Sequence, residues 1–209
     1  MARLFPGARD YVDVYERAGG IGPRTVLAHA VHLSDRELER LVQTRTRVAH
    51  CPSSNLFLAS GIMPLARYLE AGLPIGLGSD VAGGPDASIF SVMRVGAYAQ
   101  AALRTVAGER RPALAPLDWL RLGTLDGARA LGLEDRIGSL EVGKDADLIC
   151  VDPRLTAARR DLPYDAAQIE GPDVMSRLIF RAHPDMVRGA WVRGRPLEGA
   201  GSLEDPARG

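Results

Sequence analysis

The chain has 209 residues, 46% of them hydrophobic and 25% charged, with 26 basic side chains balanced by 26 acidic ones. That is the composition of a globular protein long enough to bury a core, and zero net charge without a basic cluster excludes nucleic acid and anionic membrane as main partners. No stretch approaches the roughly 18 apolar residues of a membrane span, no charged-then-apolar leader opens the chain, and the two cysteines, Cys51 and Cys150, exclude a disulfide scaffold and point to a reducing, cytoplasmic compartment.

Residues 8–19 carry Tyr11, Val12, Val14 and Tyr15 at helical spacing and stop at Gly19-Gly20. Thr25-Val26-Leu27-Ala28 is a short apolar run that reads as a buried strand ending at His29. Ser34, with Glu37 three residues on, carries the capping-box signature and opens a helix to about residue 43. Arg47-Val48-Ala49 is the next strand, ending at His50, and residues 51–61 read as a loop. A helix over about 63–71 stops at Gly72, residues 74–78 form a third strand followed by Asp80, and a longer helix spans about 88–106. Strand and helix thus alternate three times, the signature of a parallel sheet covered by helices. Each strand ends in a polar residue at its carboxyl edge, where parallel α/β folds place ligands and catalysis.

Beyond residue 109 the texture changes. Residues 110–116, with Pro112 and Pro116, read as a linker, and two short helices follow at about 117–122 and 124–131, the second stopped by Gly132. Residues 137–152 read as a turn and then a strand, and 186–197 alternate around a turn at Arg193-Gly194, a hairpin pattern. The Gly- and Pro-rich stretch 198–209 reads as frayed. The expected organisation is α/β, with one unit over 1–132 and a smaller β unit with its tail over 133–209.

His29, His50 and Asp80 form the first candidate set. Zinc and similar metals take imidazole nitrogen and carboxylate oxygen, and a catalytic centre keeps one position open for water. Each residue has an ordinary alternative, since a strand-end histidine can be a satisfied structural residue and Asp80 can cap the turn that follows it. His32, three residues past His29, either completes a metal clip or merely heads the loop before the capped helix. Cys51, beside His50, has no separate base with an orienting partner, which a nucleophile needs. Gly83 and Gly84 lack the Lys-Ser/Thr ending of a phosphate-binding loop.

Three runs then fall into a known pattern: Thr25-Val-Leu-Ala-His29-Ala-Val-His-Leu-Ser34, Val48-Ala-His-Cys-Pro-Ser-Ser-Asn55-Leu-Phe-Leu, and Gly76-Leu-Gly-Ser-Asp80-Val. Together they resemble the amidohydrolase superfamily. The second run and Tyr11-Val-Asp-Val-Tyr15 are most similar to its guanine deaminases, and the resemblance extends over about residues 4–197. It implies a metal-dependent hydrolase on a (β/α)8 TIM-type barrel. This chain would hold the C-terminal part of that barrel, its last three strands and helices, and part of a small C-terminal β-domain. It also implies zinc as the metal, a small-molecule purine as substrate and, for the complete enzyme, a homodimer. Asp80 is then expected as the metal-ligating carboxylate that accepts the attacking water's proton. His29 is expected as a catalytic group that hydrogen-bonds the water or the substrate, and His50 as a substrate-binding residue that lines the site without being a ligand. Ser79 stands where the pattern more often has Thr.

One departure is larger. The superfamily pattern includes a His-x-His pair on the first strand and a His-x-x-Glu on the fifth, and the four histidines of this sequence form neither. By the resemblance, Met1 falls just after the fifth strand. The implied reaction is hydrolysis of guanine to xanthine and ammonia by a zinc-activated water, and the chain by itself is expected to be inactive. The alternatives are an aminohydrolase or chlorohydrolase acting on an adenosine-like or triazine ring, and a non-catalytic remnant that binds a partner.

Overall fold

The computed structural model describes residues 3–156 and 171–197. Three parallel strands, β1 (Val26–Ala28), β2 (Arg47–His50) and β3 (Ile75–Leu77), lie side by side in chain order. Their register aligns Leu27 with Val48 and Val48 with Ile75, and all three point into one buried apolar cluster. Because side chains alternate along a strand, Ala28, Ala49 and Gly76, which are likewise aligned, belong to the opposite face.

Helices α1 (Tyr11–Arg17) and α2 (Asp35–Gln43) flank β1 in the chain. The predicted capping box is present: the Ser34 hydroxyl accepts from the Glu37 N–H, and the Glu37 carboxylate accepts from the Ser34 N–H. The same carboxylate does more. Its other oxygen accepts from the N–H groups of Tyr11 and Val12 at 3.1 and 3.2 Å, so one buried acid caps the first turns of two helices at once. Glu37→Ala is expected to cost about 2–3 kcal/mol, the scale of buried donors losing a charged acceptor, and to lower the urea midpoint accordingly. Glu37→Gln, which keeps one oxygen, should lose less. An unchanged midpoint in the alanine variant would mean that water replaces the carboxylate at no cost.

Two helices, α3 (Pro52–Phe57) and α4 (Leu65–Glu70), connect β2 to β3, and α5 (Ile89–Val106) follows β3. The first of these falls within the segment expected to be a loop: Pro52 occupies its first turn, where the missing N–H costs nothing and the fixed φ suits a helix. Similarly, Pro116 opens α6 (Pro116–Leu122) instead of ending a linker. Gly96 of α5 lies against the indole of Trp119, with room for no methyl between them. Helix α7 (Leu125–Leu131), ended by Gly132 in the left-handed conformation, crosses β3 so closely that a side chain on Gly76 would meet the Gly127 backbone at 2.8 Å.

A second sheet, antiparallel, orders β4 (Leu148–Val151), β5 (Val187–Val192) and β6 (Arg195–Pro196), with the predicted turn at Arg193-Gly194. Between β4 and β5 the chain forms α8 (Gly171–Phe180), which the sequence reading did not anticipate. Ile179 of α8 joins the core of the parallel-sheet layer, while Leu178, Ala182 and Met186 make a smaller cluster with Val151 and Leu155. No helix among the described residues is long and apolar enough to cross a membrane. The expectation of a frayed tail at 198–209 lies outside the described residues.

Candidate active site

Two strand ends converge. His29 directly follows β1 and Asp80 lies three residues beyond β3, and the structure brings His29 Nε2 to 3.7 Å from Asp80 Oδ2, within ion-pair range. Both side chains are partly open, at 40% and 34% exposure. Both residues also have left-handed backbones, with φ of 68° and 52°. That conformation is unusual for a residue with a Cβ and costs on the order of 1–3 kcal/mol where it occurs, most often at functional sites. The turn after Asp80 explains the two glycines that follow. A Cβ on Gly83 would sit 2.9 Å from the Asp80 carboxylate, and one on Gly84 would collide with the Ser79 carbonyl oxygen. The glycines shape the loop around the acid.

Helix α3 supplies the inner wall. Ser54 and Asn55 are 0% and 2% exposed. The Ser54 hydroxyl donates to Asp80 Oδ2 at 2.6 Å, and the Asn55 side-chain oxygen shares a hydrogen bond of 2.9 Å with His29 Nδ1. Neither residue was assigned a role from sequence, although both stand in the Cys-Pro-Ser-Ser-Asn run. The signal available was Pro52 at the first helical position just past a strand end, which predicts a turn of helix at the carboxyl edge of the sheet.

Of the other sequence candidates, Cys51 lies within reach of the His29 backbone and of the Asp80 charge, while His50 and His32 have other surroundings. Among the described residues no hydrogen bond joins the His50 ring to the His29–Asp80 pair. His50 shares the face of β2 that carries the core residue Val48, is 1% exposed, and among the described residues neither ring nitrogen has a hydrogen-bond partner. Burial pushes its pKa down to about 3, so the ring is neutral. His32 Nε2 lies 2.8 Å from the Ser60 carbonyl oxygen, a contact within the loops. Burial pushes the Cys51 thiol up from its ordinary value, which suits an inert packing residue beside Gly78.

The residues present do not by themselves fit a catalytic zinc. Such a centre takes three protein ligands and an open position, whereas the open end of this site offers one carboxylate and one imidazole. Among the described residues, no group of three or more His, Cys, Asp or Glu side chains is arranged to hold a metal. What the pair can do unaided is acid–base chemistry. Asp80 presents a carboxylate with one oxygen steadied by Ser54, and His29 presents a nitrogen next to it.

Residues 3–197 match the Amidohydrolase family. Among curated proteins the chain is 43% identical over 192 residues to a "Probable guanine deaminase" of Deinococcus radiodurans, covering 91% of this chain and 42% of that protein. It is 35% identical to a "Probable guanine deaminase" of Schizosaccharomyces pombe, covering 94% of this chain and 37% of that one. Among solved structures, the guanine deaminase of E. coli superposes with a TM-score of 0.82 at 29% identity, over 94% of this chain and 44% of that one. An adenosine deaminase from Xanthomonas campestris with bound zinc superposes with a TM-score of 0.77 at 32% identity, over 99% of this chain and 45% of that one. The chain thus spans about two fifths of the length of the curated relatives it matches.

Proposed function

The chain belongs to the amidohydrolase family, and from that premise we propose that it carries the Asp80–His29 wall of a site that hydrolyses guanine to xanthine and ammonia. The observation that carries this reading is the meeting of His29 and Asp80 across the ends of β1 and β3, in a chain whose curated relatives bear the name guanine deaminase. The three parallel strands are read as consecutive strands of a (β/α)8 barrel, and the carboxyl edge that holds both residues as its catalytic face.

In this reading Asp80 accepts a proton from the water that adds to the amine-bearing ring carbon, and that proton goes on to the departing amine, which leaves as ammonia. Ser54 holds one carboxylate oxygen and so fixes the direction in which the acid faces the water. His29 donates or accepts at Nε2, beside the forming bond. The loops at 58–61 and 81–87 would flank the purine. Two relatives' structures are described with zinc. Asp80 is read as one ligand of such a centre, and the remaining ligands as residues that this sequence does not contain; no step above depends on them.

A chimera tests the reading. This chain would replace the matching segment of the Deinococcus radiodurans protein, and the purified chimera would be given guanine, an adenosine-type nucleoside and a chlorotriazine. Release of xanthine and ammonia from guanine, with at least tenfold lower turnover of the other two, is the expected result. The substrate order matters because the structural relatives include an adenosine deaminase and a triazine hydrolase. A folded chimera that prefers either of the other rings would overturn the guanine assignment.

A further inference from the structure

Ser54 and Asn55 are neighbours on one short helix, yet each reaches a different strand end, Asp80 in one case and His29 in the other. A position filled for packing alone would be apolar. Asn55 instead is buried with its side-chain nitrogen Nδ2 lacking a hydrogen-bond partner among the described residues, a penalty that leucine would not bear. What Asn55 provides in return is an oxygen at His29 Nδ1. An amide oxygen only accepts, so the ring nitrogen facing it must donate.

We propose that Asn55 is a positioning residue that keeps a proton on His29 Nδ1 and turns Nε2 toward Asp80 and the open face. Nε2 is then the nitrogen left to face the site, and it lies 3.7 Å from the carboxylate. The catalytic meaning of this arrangement rests on the deaminase reading above; the arrangement itself does not. The left-handed backbone at His29 supports it, since that residue has left the strand's regular course and its ring needs a side-chain partner to fix its direction.

The test is ring-nitrogen NMR on this chain with labelled histidine, which has four rings to resolve; a His29→Asn variant identifies the relevant signals. The wild-type His29 ring is expected to show a protonated Nδ1. Asn55→Asp keeps an acceptor oxygen and should keep that signature. Asn55→Leu should lose it, the ring reverting to the mixture dominated by protonated Nε2, while backbone amide signals away from α3 stay in place. If the leucine variant does not fold, the wild-type and aspartate spectra still decide. A wild-type ring protonated only on Nε2 would mean that the Asn55 amide is turned the other way and would overturn the proposal, as would a leucine variant that retains Nδ1–H. A chimera with no guanine turnover would defeat the deaminase reading and leave these spectra unaffected.

Discussion

Acidification from pH 7 to pH 4 is expected to remove about 3 kcal/mol of stability through His50 alone. The cause is geometric: the ring is enclosed in the core layer, and among the described residues neither nitrogen has a partner to share a charge with. Burial therefore depresses its pKa from 6.5 to about 3. Between those values the unfolded chain binds a proton that the folded chain refuses, so stability rises with pH across the window. It is complete above about 6.5 and falls progressively toward 3, by roughly 1.4 kcal/mol for each pH unit. Asp10 and Asp13 are lowered as well, chiefly by hydrogen bonds from Arg36 and from the Arg9 N–H respectively, so they too favour the folded state as pH rises. Their contributions fade only as pH falls through the ordinary carboxylate value of 3.8 and below, whereas those of Glu109 and Glu141, lowered from 4.5, begin to fade a little below pH 5. The interval from pH 7 to about 5 thus isolates the histidine, and about 2 kcal/mol of its loss falls inside it. Urea midpoints measured across it should decline in the native sequence and stay nearly level in His50→Leu. Parallel profiles for the two proteins would show that the ring is not the titrating group.

His50 also shows where sequence reasoning reached its limit. A polar residue at the end of an apolar strand run was the signal for all three candidates, and the structure sets two of them, His29 and Asp80, 3.7 Å apart at one edge of the sheet. Strand parity divides the set. His50 is two residues from Val48, so in a regular strand it takes Val48's face, toward the helices. His29, two residues past Leu27, leaves that face because its backbone turns left-handed, and Asp80 lies beyond β3 in a left-handed turn of its own, a property that no local pattern of non-glycine residues announces. The helices with local signals were legible: Ser34 and Glu37 wrote the capping box, and Gly132 wrote the end of α7. The second duty of Glu37, capping α1 from 25 and 26 residues away, was not. Nor were the partners of Ser54 and Asn55, each 26 residues distant. The missed helix α8 belongs to the same class, because its buried face is matched to α5 and α6, far upstream in the chain. Local chemistry wrote the elements, and pairings between distant residues wrote the site.

Asp80→Asn in the guanine-active chimera is expected to lower kcat by about 10²–10⁴-fold, the range assigned to a positioned acid–base group, with KM for guanine little changed. The substitution is chosen because it changes proton chemistry and almost nothing else. Asparagine has the same shape and, like aspartate, tolerates the left-handed conformation that residue 80 adopts. Its side-chain oxygen can still accept from the Ser54 hydroxyl, which now reaches Asp80 at 2.6 Å. What it cannot do is take a proton from water, and as a neutral amide it is a poorer metal ligand. Zinc content after dialysis should therefore fall alongside kcat. Ser54→Ala supplies the graded control. It leaves the carboxylate free to accept a proton but unsteadied, so its loss should be smaller, on the order of tenfold, the scale of one hydrogen bond to a charged group. Equal losses in the two variants would assign the effect to the orientation of residue 80 and not to its charge. Full activity in Asp80→Asn would remove this carboxylate from the chemistry, and the convergence of β1 and β3 on it would then be a matter of folding alone.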